Sequence, residues 1–318
     1  MRPKLTLVAV GLAVLTSVVV ASPSAVANSA GQPVEYVKAT PVAVPPMGAA
    51  AAAHTAAVRG GAPRTTTAPA MAAERFWELQ LNLCNSGAPG VDCYSHGLSI
   101  IEGGDLIYYV RPNVVTLNEI CANDLPDYLM PSLAETWPGD WVYYVFMPAL
   151  QRDTGTPVKC SNGQDFGNAV LGRVSAATYR GVNAWGGRYT TQDGGGEQRT
   201  FACAYAVGDH LGCATHLSSN SEPVALAQCR ALLFDAVPYI RSVEGVSGKT
   251  VVGGDFNLEY DPADPENAQN CVPSGHTRKG DGDVQHVVFS NDLAFVSTTR
   301  YGLTYTDHDG FLVRLTKP

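Results

Sequence analysis

Charge is scarce in this sequence. Only 16% of its 318 residues are Asp, Glu, Lys or Arg, and 21 basic groups face 29 acidic ones for a net charge of −8. Such a chain lacks the broad basic surface with which many proteins neutralise nucleic-acid phosphates. An enzyme that meets phosphate through a bound divalent cation is not excluded. Other absences narrow the field further. No C-x-x-C pair occurs, and no Cys/His cluster has the spacing of a structural zinc site. No Gly-rich loop of the Walker or dinucleotide type is present, since Gly194-Gly195-Gly196 lacks the preceding strand and following helix such a loop needs. There is no internal repeat. Apolar residues nevertheless make up 45% of the chain and the mean hydropathy is −0.01, which excludes a largely disordered chain and a multi-span membrane protein.

The N-terminus is organised differently from the rest. Arg2 and Lys4 precede an apolar run from Leu5 to Ala21, and Ala25-Val26-Ala27 offers a small-residue cleavage site. This reads as a secretory signal peptide over residues 1–27, so an extracellular location is expected. Residues 28–73 are rich in Ala, Pro, Thr and Val and read as a linker or pro-segment without a packing face. The first 73 residues hold five basic groups and one acid, Glu35, which leaves residues 74–318 with 16 basic and 28 acidic groups, a net of −12. All eight cysteines lie in this single expected domain. An even count behind an export signal predicts disulfides. Proximity favours Cys84–Cys93 and Cys203–Cys213, with Cys121–Cys160 and Cys229–Cys271 completing the set.

Strand patterns fall at 76–83, 113–117, 141–147, 168–174, 200–207, 212–217, 249–255, 285–290 and 311–315. Helical spacing appears over 98–110, after Asn123 or Asp124 through Leu133, and over 222–243 behind Ser221, with Pro238 placed to kink or end the last one. Strands outnumber helices and hairpins are frequent. That pattern predicts mixed sheets covered by helices, not a doubly wound parallel sheet.

Several of these strands end in polar residues. Asn82 closes the first, Asn118-Glu119 the second, and Thr215-His216-Leu217 another. Gly254-Asp255-Phe256-Asn257 puts Asp and Asn two apart, on one face. Thr306-Asp307-His308 precedes the last strand. Hard oxygen donors, imidazoles and neutral amides together suit metal-assisted attack on a phosphodiester. A carboxylate can hold Mg²⁺, the ion offsets charge on the phosphoryl oxygens, and a His paired with a carboxylate can take a proton from water.

These elements, in this order, resemble the endonuclease/exonuclease/phosphatase superfamily with its deoxyribonuclease-I-like fold, over most of residues 76–315. The resemblance implies a four-layer α/β sandwich: two mixed sheets face to face with helices outside. It also implies a Mg²⁺-dependent phosphoesterase, with Mn²⁺ or Ca²⁺ as alternative ions. Carried over by position, Glu119 would ligate the metal, with Asn82 beside it and Asp307 ligating or tuning it. Asp255 would orient or activate the attacking water, and Asn82 and Asn257 would contact phosphate. His308 would serve as general base or phosphate contact, and His216 would contact phosphate or help protonate the leaving oxygen. Two positions depart from the pattern. Asn118 stands where the family has Gln, a change expected to matter little. Gln285, in Val284-Gln285-His286-Val287-Val288-Phe289, stands where the family carries an Asp that pairs with the final His. Gln285 is expected to hold His308 by a hydrogen bond without raising its basicity, with Asp283 as a stand-in carboxylate.

The leading expectation is a secreted, monomeric phosphodiesterase acting on nucleic acid. A phospholipase of the sphingomyelinase type is the alternative on the same fold, and residues 182–198, with Trp185 and Tyr189 among glycines, are its candidate lipid-contacting hairpin. A toxin-like or adhesive binding domain without turnover is the alternative from another class. Fold likeness alone does not fix a substrate.

Overall fold

The computed structural model describes residues 32–46 apart from 38, and 74–317 apart from 89 and 90. The expected signal peptide therefore lies outside the described residues. Among the described residues sixteen strands run in chain order: β1 Val34–Val37, β2 Pro41–Val44, β3 Arg75–Asn82, β4 Val114–Cys121, β5 Asp140–Pro148, β6 Leu150–Gln151, β7 Phe166–Ser175 and β8 Val182–Tyr189. They continue with β9 Glu197–Gln198, β10 Thr200–Ala206, β11 His210–His216, β12 Thr250–Asp255, β13 His276–Gly280, β14 Gln285–Ser290, β15 Ala294–Tyr301 and β16 Gly310–Thr316. One seven-stranded sheet has the order β1-β8-β10-β11-β12-β14-β13, a second has β15-β16-β3-β4-β7-β5-β2, and β6 pairs with β9.

Alternating side chains explain the layering, because a strand presents successive residues to opposite faces. Between the sheets, Ala202, Ala204, Ala206 and Ala214 of one meet Phe76, Tyr143, Val170 and Phe311 of the other. On the outer face of the first sheet, Phe201, Leu211 and Val252 pack under Leu226, Leu233 and Ile240 of the helical stretch 222–244. On the outer face of the second, Leu79, Leu117 and Leu171 pack under Ile107, Leu129 and Leu133. The result is the expected four-layer sandwich. The helix Leu98–Val110 keeps its predicted bounds. Its two internal glycines serve close approach, since a Cβ on Gly103 would lie 3.0 Å from Leu83 and one on Gly104 would lie 2.8 Å from Ser132. The stretch after Ser221 is helical as expected. It widens to a π-helical segment over Ala231–Ala236 before Pro238, and Gly245 ends it in a left-handed cap.

All four expected disulfides form, with Cα separations of 5.9 Å for Cys84–Cys93, 6.1 Å for Cys121–Cys160, 4.1 Å for Cys203–Cys213 and 5.8 Å for Cys229–Cys271. Four disulfides fit an oxidising setting.

Two expectations are corrected here. Part of the segment read as a linker belongs to the fold: β1 extends the first sheet beside β8, and β2 extends the second beside β5. Val34 is buried, Tyr36 packs against Trp185, Tyr239 and Phe201, and Glu35 pairs with Arg188. Two four-residue edge strands, one opening on Pro41, disappear in an Ala/Pro-rich average, and an edge is where a sheet tolerates Pro. The second correction concerns residues 182–198. Val182–Tyr189 is an internal strand. Trp185 donates to Glu244 (2.8 Å), and the buried Tyr189 shares a hydroxyl hydrogen bond with Thr215 (2.7 Å). Neither ring is placed to rest on lipid. The glycines that suggested a loop mark tight packing: a Cβ on Gly187 would lie 2.5 Å from the Phe201 ring. Gly187→Ala should therefore destabilise the fold by ~1–3 kcal/mol. An unchanged midpoint in urea unfolding would remove this packing explanation.

Candidate active site

The two sheets each contain one parallel pair, β3 with β4 and β11 with β12, and each pair is joined through a crossover bearing helix. A parallel pair ends both strands on the same side. Asn82 therefore lies opposite Asn118, beside Glu119, and His216 lies opposite Asp255. Since the sheets pack face to face, the four strand ends meet, and the turn before β16 adds Asp307 and His308.

The distances bear this out. Asn82 Nδ2 lies 3.0 Å from Glu119 Oε1 and 3.1 Å from Asp255 Oδ2. His308 Nε2 is 3.5 Å from Asp255 Oδ2 and 3.8 Å from Asp307 Oδ1. His216 reaches Asp255 Oδ2 with Nε2 (3.8 Å) and Glu119 Oε1 with Nδ1 (4.0 Å). Asp255 Oδ1 accepts from the backbone N–H of Asn257 (2.9 Å), and Asn257 Nδ2 donates to the carbonyl of Leu217 (3.0 Å). Thr306 Oγ1 donates to the Asn82 carbonyl (2.9 Å), which ties the Asp307–His308 turn to β3.

Local backbone aims two of these side chains. Glu119 sits at a bulge in β4, where the register with β7 shifts between Leu117 and Ile120, and its φ is 57°. Asn257 has a φ of 49°. Left-handed backbone costs a non-glycine residue on the order of 1 kcal/mol or more, and such positions concentrate at functional sites. A bulge is a recurrent way to redirect a side chain at a strand end.

Gln285 departs from the expectation for it. It is fully buried and faces Asp255 across the β12–β14 pair, but its Nε2 donates to the Asp309 carbonyl (2.7 Å), not to His308. Its Oε1 is buried with no partner among the described residues. Gln285 thus anchors the backbone of the turn that carries His308, and the carboxylate nearest that imidazole is Asp255. Asp283 is exposed and does not replace the missing acid.

Arg199 had no signal in the sequence, and Asn118 does more than its position there suggested. Arg199, just before β10, is largely buried, donates to Ser219 Oγ (3.0 Å) and pairs with Glu197 (3.2 Å). Its charge acts on Glu119, Asp255 and His216. A single Arg among Gly, Glu and Gln residues forms no motif. Asn118, expected to matter little, spans both sheets: it donates to Asn168 Oδ1 (2.9 Å) and the Thr215 carbonyl (2.8 Å), and accepts from the Asp255 backbone (2.9 Å).

The electrostatics follow from burial. Glu119 is pushed above the usual carboxylate range by burial, with the Asn82 hydrogen bond opposing and Asp255 and Asp307 adding to the rise. Burial also raises Asp255, partly offset by His308. His216 falls well below its ordinary value through burial and then through the charges of Arg199 and His308, so its imidazole is neutral. The half-buried Glu119 and the buried Asp255 converge on the Asn82 side-chain amide and offer hard oxygen donors that fit a divalent cation, and such an ion would reverse the rise in both groups. Asp307 also approaches the sulfurs of Cys84 and Cys93, but these are joined in a disulfide and offer no thiolate to a metal.

No protein-family model matches the sequence, and no curated protein matches it. Solved structures do match the fold. An endonuclease/exonuclease/phosphatase family protein from Bacteroides thetaiotaomicron has a TM-score of 0.53 at 13% identity, covering 78% of this chain and 100% of its own. A mannosyl-6-phosphatase from the same bacterium has a TM-score of 0.52 at 12% identity, covering 76% and 99%. A 2',3'-cyclic phosphatase solved with adenosine-2',3'-vanadate has a TM-score of 0.51 at 13% identity, covering 76% and 96%. The likeness is one of fold, the deoxyribonuclease-I-like α/β sandwich.

Proposed function

We propose that this chain is a secreted, divalent-metal-dependent phosphodiesterase that hydrolyses nucleic-acid or nucleotidyl phosphodiesters by attack of water. The observation that carries the proposal is the meeting of Asn82, Glu119, His216, Asp255 and His308 at the ends of two parallel strand pairs. Glu119 and Asn82 would hold the ion, with Asp307 at its edge. Mg²⁺, or Mn²⁺ or Ca²⁺ in its place, supplies positive charge against the phosphoryl oxygens when bound.

The chain's own residues do the rest. Asp255 orients the attacking water and takes its proton. His308, 3.5 Å from Asp255, supports the negative carboxylate and donates to a non-bridging oxygen. His216 is neutral and therefore acts as a hydrogen-bond donor to phosphate, not as a strong acid. Asn257 spends one of its two amide protons on Leu217 and directs the other at phosphate. Arg199 adds the fixed positive charge that an acidic domain otherwise lacks.

The four disulfides and the N-terminal pattern support export. The internal position of Trp185 and Tyr189 removes the one lipid-contacting segment the sequence offered and favours a soluble phosphodiester over a phospholipid. The test is an assay of the full chain, disulfides formed, on plasmid DNA, RNA and sphingomyelin between pH 5 and 9. Cleavage of a nucleic acid with Mg²⁺, abolished by EDTA and restored by excess Mg²⁺, is expected. Cleavage of sphingomyelin alone would transfer the site to a phospholipase, and no cleavage at all would leave a binding domain.

A further inference from the structure

Glu78 lies in the middle of β3, points between the sheets and is fully buried. The proposed chemistry does not use it. Its surroundings nevertheless determine its protonation state by counting hydrogens. The count starts from backbone groups, whose donor and acceptor roles are fixed.

The Asp255 N–H must donate, so the Asn118 side-chain atom 2.9 Å away is the oxygen. The Thr215 carbonyl must accept, so the atom 2.8 Å from it is the Asn118 nitrogen, in agreement. Asn118 Oδ1 then needs a donor from Gln80, which is Nε2 at 2.7 Å. That leaves Gln80 Oε1 facing Thr116 Oγ1 at 2.5 Å, and the Thr116 hydroxyl must give it its only proton. Glu78 Oε1 lies 2.5 Å from the same hydroxyl oxygen. A hydroxyl has one proton to give. An ionised Glu78 would therefore place two acceptors on one hydrogen. A protonated Glu78 donates to Thr116 and completes an unbroken run of donors ending at the Asp255 backbone.

The space agrees with this. Gly253 leaves the room the pair occupies, since a Cβ there would lie 2.2 Å from Thr116 Oγ1 and 2.6 Å from Glu78 Oε1. Glu78 Oε2 is buried without a partner among the described residues, which is far less costly for a neutral carboxyl than for a carboxylate. The titratable side chains on the strands packed around it are Arg75 on β3, Glu119 on β4, Asp255 on β12, His286 on β14 and Arg314 on β16. None of them contributes to its shift: burial alone pushes Glu78 up to about 8, against the Thr116 hydrogen bond.

We propose that Glu78 is held as a neutral carboxylic acid and is a positioning residue: through Thr116, Gln80 and Asn118 its proton maintains the acceptor that fixes the Asp255 backbone. When Glu78 ionises it takes the Thr116 proton for itself. Gln80 Oε1 then faces a hydroxyl oxygen with no hydrogen to offer, and the run can recover only by turning the amides. Turning them would place the Asn118 NH₂ against the Asp255 N–H, donor against donor.

The consequence for activity rests on the hydrolase reading above; the protonation state does not, and the experiment separates them. NMR of the full chain labelled with ¹³C at glutamate side-chain carboxyls and ¹⁵N in the backbone reads both. The expected result is a carboxyl resonance, lost in Glu78→Gln, that is protonated at pH 6.5 and titrates at alkaline pH. The Asp255 amide resonance should follow it with the same midpoint in the wild type, and should lose that midpoint in Glu78→Gln and Thr116→Val. Glu78→Gln keeps a donor toward Thr116 and should fold. Where phosphodiester cleavage is measured, kcat of the two proteins should agree at pH 6.5, and at pH 9 the wild type should fall about tenfold below Glu78→Gln, consistent with loss of alignment at the site. A Glu78 carboxylate already ionised at pH 6.5, or an Asp255 amide indifferent to its titration, would overturn the proposal whether or not the chain is a hydrolase.

Discussion

Asp255→Asn should lower kcat by about 10²–10⁴-fold, the range a positioned general base contributes, while leaving the fold and its circular dichroism unchanged. Asp255 is 2% exposed and every neighbour uses its negative oxygens. Oδ1 accepts from the Asn257 backbone at 2.9 Å, and an amide oxygen can keep that bond. Oδ2 meets Asn82 Nδ2 at 3.1 Å and His308 Nε2 at 3.5 Å, and there an amide nitrogen can neither accept from Asn82 nor take a proton from water. KM should move by only a few-fold, because the proposed phosphate contacts of His216 and Asn257 and the charge of Arg199 survive. His308→Ala in the same background should cost less than it does in the wild type, as expected for two groups acting as a unit. Additive losses would show that His308 works independently of Asp255.

A chain beginning at residue 74 should melt about 10 °C or more below one beginning at residue 32. The two differ in β1 and β2, which close one edge of each sheet. Burying a side chain such as Val34 is worth ~1.5–3 kcal/mol, the half-buried Tyr36 adds its ring contacts, and ~1 kcal/mol corresponds to about 2–4 °C in a domain of this size. The truncation also uncovers the unpaired backbone of β8 and β5, so aggregation should accompany the lower melting temperature. All eight cysteines remain in the shorter chain, so disulfide pairing is not a confounding loss. Equal melting temperatures would mean that β1 and β2 are ornamental to stability.

Much of the candidate site was legible because its residues sit where a strand pattern breaks into polar residues. Asn82, Glu119, His216 and Asp255 each close an apolar run that only a buried strand explains, the parallel pairing of those strands brings them together, and His308 joins them from the turn before β16. Two disulfides, Cys84–Cys93 and Cys203–Cys213, were legible from short separations and a hairpin, and the other two completed the set. What escaped depends on tertiary context. Gln285 lies at the expected position, yet its hydrogen bond goes to the Asp309 carbonyl, a choice set by the turn before β16. Arg199 reaches the site only because β10 starts there. β8 was hidden by Gly186 and Gly187, whose missing side chains are a packing requirement and not a sign of a loop. β1 and β2 were hidden by their brevity within a low-complexity stretch.

Glu78 illustrates the limit of pattern reading most clearly. A Glu flanked by Trp and Leu in a strand looks like an alternating surface position, and the second sheet turns it into the most enclosed acid of the polar column leading to Asp255. Burial raises its proton affinity, so the stability it contributes is complete below the unfolded value near 4.5 and is lost as pH climbs toward about 8. Glu78→Gln should flatten that decline, with a melting-temperature advantage over wild type that grows between pH 5 and pH 8. A constant difference across that range would contradict a buried neutral acid.

Water attack assisted by a divalent ion is most directly tested by cleaving the preferred phosphodiester, whichever of DNA, RNA or sphingomyelin that proves to be, in ¹⁸O-labelled water. With Mg²⁺ present, one labelled oxygen should enter the released phosphomonoester for each bond cut, and neither cleavage nor label should appear in EDTA or in Glu119→Gln. Cleavage that proceeds without the label, or equally well in EDTA, would contradict the assignment of this site.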